Sequence, residues 1–420
     1  MVTQVRETVS PRRAALVLAA ILAVGLALRV AAILPYAMGP NTYSDDNGYL
    51  TSGVTFARTG YVAYADPALQ TTAIGPGMPL LLGGLVALLG AEPAGLVAAH
   101  ILFSAIGLLT AVSAYLLGTM LCSRMAGLLA AAACVLEPSL ISVNIVFLTE
   151  TPYMCLNLLA ICCFLASARR WSWGRYWAGM MCLCGAALFK GLALLAVVAP
   201  LAALVRRGER LCVWLPRAAA GALAFALVFL PWWVRNACLT GEFVPFTANR
   251  GDIQLMGTYE GWGYPEGTYE EAVLEADREA WEQGYQEDME RRFERRGEMG
   301  RERMEAWLRE APLGFVATHL LYKPLKLTLE SLTTVDLLPQ KAVALAWWAC
   351  LAVAVWGLVC PRWGGRAGRG YYAPAAYLLV ATMVTAVYAP LARYGVSHVP
   401  LWLFYTGAGG ADLLARLKRK

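Results

Sequence analysis

Residues 14–34 have the sequence AALVLAAILAVGLALRVAAIL, and the polar segment NTYSDDNGY follows at residues 41–49. The first segment has the ~20 apolar residues that a helix needs to cross the hydrocarbon core of a bilayer. The second segment places two neighbouring carboxylates, Asp45 and Asp46, just beyond it. Because a bilayer penalises charge that has neither a partner nor a task, this acid pair is the feature that most strongly indicates chemistry.

The composition of the whole chain is that of a membrane protein. Of its 420 residues, 59% are hydrophobic and only 15% are charged, and the mean hydropathy is +0.53. An ordinary soluble domain carries about 25% charged residues. The sequence predicts an all-α polytopic membrane protein with about ten transmembrane helices and short interfacial helices in the first outer loop. The net charge of +6 does not indicate a nucleic-acid partner, because Lys and Arg gather in short loops.

The cysteines and histidines do not predict a metal or disulfide framework. Nearly all of the 11 cysteines lie within apolar segments, and neither a CxxC pair nor a Cys/His cluster occurs. His100, His319 and His398 are far apart in the sequence, so they do not indicate a zinc site. We expect the cysteines to be small buried side chains.

Basic residues predict the orientation in the membrane. Arg6, Arg12 and Arg13 precede the first apolar run, and a basic tail follows the last one. The positive-inside rule therefore places both termini in the cytoplasm and the acid pair on the outer face of the cell (inner) membrane. The first run is too long for a signal-peptide core and lacks a convincing cleavage site, so it is expected to be retained.

Three parts of the chain are expected. Residues 1–234 form an N-terminal transmembrane module, whose first outer loop, residues 35–77, carries the acid pair. Residues 235–338 form an outer helical region, and residues 339–420 form the C-terminal transmembrane helices. These boundaries follow from the alternation of apolar runs with basic and polar segments.

Local patterns predict individual helices. A helix over 48–58 ends at Thr59-Gly60, and the apolar run 78–90 is too short to span comfortably, which indicates a re-entrant or interfacial helix. A full span is predicted over 126–146. The charged segment 269–310 predicts a solvated outer helix.

The charged outer segment also suggests its own internal contacts. Pairs such as Asp288 with Arg292, and Glu305 with Arg309, have the i,i+4 spacing of helical ion pairs. Gly297 and Gly300 are expected to break this helix, because glycine is a poor helix former.

Charged residues at the predicted outer ends of the spans indicate a cavity that opens outward, in which carboxylates and cations converge on a ligand. The alternative is that these side chains simply reach water at the interface. The residues are Asp45, Asp46, Glu137, Glu150, Lys190, Arg235 and Arg393.

The order of several short motifs resembles that of the bacterial GT-C glycosyltransferases, the group that includes protein O-mannosyltransferases and aminoarabinose transferases. The likeness extends over most of the chain, and it is carried by the order of the motifs. The motifs are YSDDNGY at 43–49 with ARTG at 57–60, GPGMPLLL at 75–82, LTE at 148–150, PWWVRN at 231–236, and ARY at 392–394 followed by Pro400.

This resemblance implies an all-α GT-C fold and a membrane glycosyltransferase. Enzymes of this group transfer a sugar from a polyprenyl-phosphate donor in the membrane lipid to a hydroxyl or amine outside the membrane. The transfer usually inverts the configuration at the anomeric carbon. The acceptor can be a glycan, a lipid or a protein, and no nucleic acid is involved. Direct displacement needs a base for the acceptor proton and positive charge on the departing phosphate.

The resemblance also suggests roles for residues of this chain. Asp45 is the candidate base, with Asp46 as its substitute. Glu150 either orients the acceptor or shares a divalent metal ion with Asp45. The remaining candidates are substrate-binding residues, of which the cations would hold the phosphate. They are Tyr49, Lys190, Arg235, Asn236, Arg393 and Tyr394.

Other classes of protein remain as alternatives. The chain has features in common with a flippase or transporter for lipid-linked saccharides, with a polymerase-type membrane protein, and with a purely structural subunit. A transporter more often places charges near the middle of spans and has paired broken helices. Here the charges lie at the outer ends and the acid pair lies in a loop, which favours the enzyme.

Overall fold

The computed structural model of the chain describes residues 9–38, 44–64, 66–197, 211–264, 266–286, 288–330, 332, 339–360, 362–363 and 368–418. Over these ranges the chain is helical and contains no strands. The predicted all-α class is therefore confirmed. Arg6, Tyr43 and the last two residues of the basic tail lie outside the described residues.

Eight α-helices precede residue 190. They are α1 (Pro11–Met38), α2 (Ser44–Thr59), α3 (Gly77–Leu89), α4 (Pro93–Leu121), α5 (Arg124–Leu136), α6 (Pro138–Ile145), α7 (Glu150–Arg169) and α8 (Trp173–Phe189).

The described part of the chain beyond residue 190 adds ten further α-helices, with a π-helical turn at Thr318–Tyr322 and short 3₁₀ turns at Gly191–Val197 and Gly368–Tyr371. The α-helices are α9 (Leu211–Thr240), α10 (Arg250–Gly257), α11 (Tyr269–Glu282), α12 (Met289–Glu310), α13 (Pro312–Ala317), α14 (Lys323–Leu329), α15 (Gln340–Val359), α16 (Ala373–Thr385), α17 (Ala392–Val396) and α18 (Val399–Leu417).

Five of the described helices are long and apolar enough to cross a membrane. They are α1, α4, α7, α9 and α15, and the bent pair α5–α6 makes a sixth if it counts as one span. By length and composition alone, fewer described helices qualify than the ten or so expected from the sequence. The chain is a multi-pass membrane protein, and α3, at 13 residues, is a short apolar helix as expected.

The predicted span over 126–146 is not one continuous helix. The chain forms α5 and α6, which meet at a bend of 58°. Pro138 has no N–H for a continuing helix and begins α6, and the Glu137 side chain accepts a hydrogen bond from the backbone of Ser139 (3.3 Å). The bend brings the chain back toward the start of α7, where Glu150 lies.

The predicted helix over 269–310 is interrupted, but at a different place than expected. α11 and α12 are separated at residues 283–288, where Gly284 has φ +72° and Asp288 caps α12 by accepting from the Arg291 backbone. Gly297 and Gly300 lie inside α12. They do not break the helix. Because glycine has no side chain, Gly297 lets α10 pack within van der Waals contact of α12.

Two of the ion pairs predicted along this segment are also wrong, and the third, between Glu287 and Arg291, involves a residue outside the described ranges. Arg292 binds Asp277 of α11 (2.7 Å), not Asp288. Arg309 donates to the backbone carbonyl of Glu305 (3.3 Å) and not to its carboxylate. Arg292 and Arg296 of α12 instead bind Asp277 of α11, and Arg296 also binds Asp252 of α10.

The membrane core is held together by close contacts between small residues. α18 packs between α5 and α15. A Cβ on Gly357 of α15 would overlap the carbonyl oxygen of Tyr405 and lie 2.8 Å from the Gly409 nitrogen. A Cβ on Gly407 would overlap the carbonyl oxygen of Ala126. Because lipid tails are as apolar as the side chains, the hydrophobic effect does little to bring helices together within a bilayer. Van der Waals contact between closely spaced backbones is therefore a main source of stability here.

We expect Gly357→Ala to destabilise the protein by about 1–3 kcal/mol, because overpacking forces the two helices apart. Gly84→Ala is the matched control, since a Cβ at Gly84 of α3 meets no atom within 4 Å. The control should be neutral or stabilising by up to about 1 kcal/mol, through helix propensity. Thermal unfolding in detergent measures both variants, and equal melting temperatures would refute the packing argument.

Candidate active site

A cleft of about 680 Å³ lies where α2, α8 and α17 meet α10 and α12. Asp45, Tyr49, Lys190, Arg393 and Tyr394 all line it. These five residues were predicted from the sequence to act on substrate, although they are up to 349 positions apart in the chain. The structure therefore brings most of the predicted set to one surface.

Glu150 lies behind this surface and organises its cations. The Glu150 side chain is fully buried at the start of α7. Its Oε1 accepts from Lys190 Nζ (2.8 Å) and from Arg393 Nε (2.8 Å), and its Oε2 accepts from the hydroxyl of Thr149 (3.1 Å). The carboxylate does not line the cleft. Its geometry is that of a positioning residue for two cations.

Arg393 links Glu150 to Asp45. Its Nη1 donates to Asp45 Oδ2, while Asp45 Oδ1 accepts from the hydroxyl of Tyr64 (2.6 Å). Among the described residues, none accepts from the second terminal nitrogen of Arg393, Nη2. The Asp45 side chain is 33% exposed. Both a carboxylate and a guanidinium nitrogen are thus available to a ligand in the cleft.

Lys190 presents its ammonium group between aromatic rings. The Nζ atom lies 5.1 Å from the ring centre of Tyr394 and 5.8 Å from that of Tyr153, and it contacts the hydroxyl of Ser397 (3.4 Å). Tyr49 packs edge-on to Tyr64, with ring centres 5.5 Å apart. The wall of the cleft around the cations is therefore aromatic, which suits both a sugar face and a partly dehydrated cation.

Asp46 is separated from Asp45, although the two are adjacent in sequence. Asp46 is 1% exposed and does not line the cleft. Its Oδ1 accepts from the backbone N–H of Phe147 (2.6 Å), and its Oδ2 accepts from the hydroxyl of Tyr36. Successive residues of a helix point about 100° apart, so Asp45 faces the cleft while Asp46 faces Tyr36 and the backbone of Phe147.

Arg235 and Asn236 also lie outside the lining of the cleft. Arg235 donates to the carbonyls of Thr71 (2.8 Å) and Val62 (3.4 Å), and Asn236 donates to the carbonyl of Val244 (2.9 Å). These contacts fasten the α2–α3 loop and the chain that follows α9 to the end of α9. Both side chains therefore bind backbone carbonyls.

Sequence reasoning missed a buried cation in α1. Arg29 is 1% exposed, and its Nε donates to Asn144 Oδ1 (2.9 Å) while its Nη1 donates to the Val135 carbonyl (3.2 Å). Asn144 in turn donates to Thr151 Oγ1 (3.0 Å). This network ties α1 to the α5–α6 bend and to the start of α7. An arginine within an apolar run predicts a buried polar network of this kind.

Comparisons with known proteins bear on the fold. No protein-family model and no curated protein matches the chain. Among solved structures, the oligosaccharyltransferase AglB from Archaeoglobus fulgidus, in complex with an inhibitory peptide and a dolichol-phosphate, matches with a TM-score of 0.56 and 15% identity. The match covers 96% of this chain and 50% of AglB. The chain therefore spans about half the length of that protein.

The apo form of the Archaeoglobus fulgidus enzyme matches with a TM-score of 0.57 and 13% identity, over 97% of this chain and 51% of that one. The chain has a GT-C fold. ArnT from Cupriavidus metallidurans is a further similar structure, with a TM-score of 0.44 and 14% identity, over 96% of this chain and 80% of ArnT. The predicted GT-C fold is confirmed by the two matches to the Archaeoglobus fulgidus enzyme.

The donor set at Asp45 and Glu150 does not fit a resident metal ion, although the Archaeoglobus fulgidus enzyme has also been solved with Zn and sulfate. Both carboxylates already bind the guanidinium of Arg393. The described residues contain no group of three or more His, Cys, Asp or Glu side chains that could hold a metal. Hard divalent ions take about six or more oxygen ligands, and a neutralised pair of carboxylates supplies few of them.

We expect Asp46→Asn to destabilise the protein by about 1–3 kcal/mol. The amide NH₂ of asparagine would face either the Phe147 N–H or the Tyr36 hydroxyl, and that donor would lose its acceptor. Asp66→Asn is the control, since among the described residues the exposed Asp66 side chain accepts a hydrogen bond only from the backbone N–H of Ala68 (2.8 Å). Thermal unfolding in detergent measures the difference. An Asp46→Asn variant that melts with the wild type would contradict a structural task for this acid.

Proposed function

We propose that the protein is an integral membrane glycosyltransferase, which moves a sugar from a polyprenyl-phosphate donor to an acceptor at the outer face of the membrane. The observation that carries this proposal is the group Lys190, Glu150, Arg393 and Asp45 at one cleft of a GT-C fold. It supplies two cations for a phosphate and a carboxylate for a proton. We place both termini in the cytoplasm on the basis of the basic residues near them.

The donor phosphate binds to Lys190 and Arg393 in this proposal. Both side chains line the cleft, and both share a single oxygen of buried Glu150, so N–H groups remain for a ligand. The planar guanidinium suits a phosphate because it donates two parallel hydrogen bonds. The dolichol-phosphate in the AglB complex supports a lipid phosphate as the donor group.

The lipid chain has an apolar path beside these cations. Phe229, Trp232 and Val384 line the same cleft. The first two belong to α9, one of the helices that can cross the membrane. A polyprenyl chain can leave the cleft along this surface without burying polar groups, because its own hydrocarbon matches the side chains.

Transfer then proceeds as a direct displacement. The acceptor oxygen or nitrogen attacks the anomeric carbon, its proton passes to the carboxylate of Asp45, and the bond from the anomeric carbon to the phosphate oxygen breaks. The electron pair leaves with the lipid phosphate, whose charge Lys190 and Arg393 stabilise. Displacement of this kind inverts the configuration at the anomeric carbon. Tyr49 and Tyr394 stack against the sugar.

The other predicted residues act through these groups. Glu150 positions the two cations, and Asp46 holds α2 against the backbone of Phe147. Arg235 and Asn236 fix the loop that precedes α3 and the chain that follows α9. We propose no catalytic step through a metal ion.

We expect Asp45→Asn to lower the transfer rate by about 10²–10⁴-fold, because the acceptor proton loses its base. The assay supplies polyprenyl phosphates that carry different labelled sugars, with a membrane extract as acceptor, and follows release of label from the lipid. Asp66→Asn in the same loop is the control. Full transfer by Asp45→Asn would refute the base assignment, and donor binding without release by the wild type would favour a flippase.

We expect Arg393→Lys to weaken binding of polyprenyl phosphate by about 10- to 100-fold, since hydrogen bonds to charged groups contribute about 1.5–3 kcal/mol and lysine lacks the fork. Arg58→Lys, at an exposed position of α2, is the matched control. Binding is measured on purified protein in nanodiscs. Equal affinities of the two variants would show that the phosphate binds elsewhere.

A further inference from the structure

A second polar cluster lines the same cleft, and the mechanism above does not use it. Asp252 of α10 and Arg292 and Arg296 of α12 face the cleft, together with Asn249 and Phe293. All of these residues belong to the outer helical region. They are contributed by elements other than those that carry Asp45, Lys190 and Arg393.

The charges of this cluster are paired. Arg296 donates to Asp252 Oδ1 and to Asp277 Oδ1, both at 2.9 Å, and Arg292 donates to Asp277 Oδ1 at 2.7 Å. Asp252 also accepts from the hydroxyl of Tyr269 (2.9 Å). Burial alone would raise the pKa of Asp277, but the hydrogen bonds from the two arginines hold its pKa below the usual value. The cluster thus pairs two carboxylates with two guanidinium groups.

Packing fixes this cluster relative to the acid loop. α10 and α12 touch at Gly251 and Gly297, where a Cβ on Gly251 would lie 2.5 Å from the Gly297 Cα. At the start of α12, Glu290 accepts from both the backbone N–H (3.2 Å) and the hydroxyl (3.1 Å) of Thr72. Ala73, the next residue, lines the cleft. The second cluster thus has a defined position beside the loop that follows Asp45.

Some hydrogen-bonding capacity of the cluster is unused. Arg296 Nε is buried and has no acceptor among the described residues. Asp252 Oδ2 and the Asn249 amide nitrogen have no partner among the described hydrogen bonds. Asp252 and Asn249 both line the cleft, so these two polar atoms can bind a ligand there.

We propose that this cluster binds the acceptor, and that the acceptor is a neutral, hydroxyl-rich glycan. The inference rests on the proposed transferase function and specifies its second substrate. A hydroxyl group both donates and accepts, so it can bridge the Asp252 carboxylate and the guanidinium or amide groups beside it. The ring of Phe293 offers an apolar face to a sugar ring.

An anionic acceptor fits this cluster less well. Each guanidinium already has a carboxylate partner, and Asp252 faces the cleft and would repel an anion. Arg393 is also paired, with Glu150 and Asp45, but its Nη2 has no acceptor among the described residues, so that part of the cleft keeps a donor for a phosphate. The two clusters thus select different ligands within one cavity.

The test measures binding of three probe sets to purified protein in nanodiscs: neutral oligosaccharides, their sulfated or uronic-acid counterparts, and peptides. Asn249→Ala and Arg292→Gln are the test variants. Arg278→Gln, whose side chain is 70% exposed on α11, is the control. We expect the wild type and the control to bind neutral glycans, and the test variants to bind them about tenfold more weakly. All samples should melt alike and bind polyprenyl phosphate equally.

The outcomes separate this inference from the proposed function. No binding of neutral glycans, preference for the anionic or peptide probes, or unchanged glycan affinity in both test variants would each overturn it. Label release from a polyprenyl-phosphate sugar, without glycan binding, would leave the transferase standing and reject the glycan. Glycan binding without any donor turnover would instead count against the transferase.

Discussion

The arrangement of the cleft depends on one buried carboxylate. Glu150 is fully removed from water, and one of its oxygens holds Lys190 and Arg393, which lie 40 and 243 residues further along the chain. A buried charge without partners costs several kcal/mol, so α7, α8 and α17 are compelled to meet where these cations can reach it. The same contact aims both cations at the cleft. Stability and site geometry therefore have a common cause.

Asp45 and Asp46 are neighbours in the sequence, but the structure gives them different surroundings and different contacts. Asp45 is partly exposed and lines the cleft, whereas Asp46 is buried and accepts from the backbone of Phe147 beside Glu150. Arg29 acts from the other side, through Asn144, on the same segment between α6 and α7. Buried polar contacts on both sides thus fix the short segment that ends at Glu150. Rigid support of this kind is what a precise site requires.

Features with a local cause could be predicted from the sequence. Apolar length gave the membrane class, and the glycine at the end of α2 marked where that helix stops. Features that depend on partners could not. Gly297 was expected to break a helix, yet its partner Gly251 makes it a contact point. Asp46, Arg235 and Asn236 were expected near substrate, but the rotation of their helices, which no linear pattern shows, directs them to backbone groups.

The contact between Arg393 and Asp45 gives the proposed mechanism an order. A carboxylate paired with a guanidinium is a weak base, because the cation favours its charged form. A lipid phosphate that binds Arg393 competes for the same guanidinium and loosens its hold on Asp45. The base is then strongest when the donor is in place, which limits proton transfer to the complex that can react. The ion pair between Arg393 and Asp45 can therefore prevent proton transfer to Asp45 until the donor is bound.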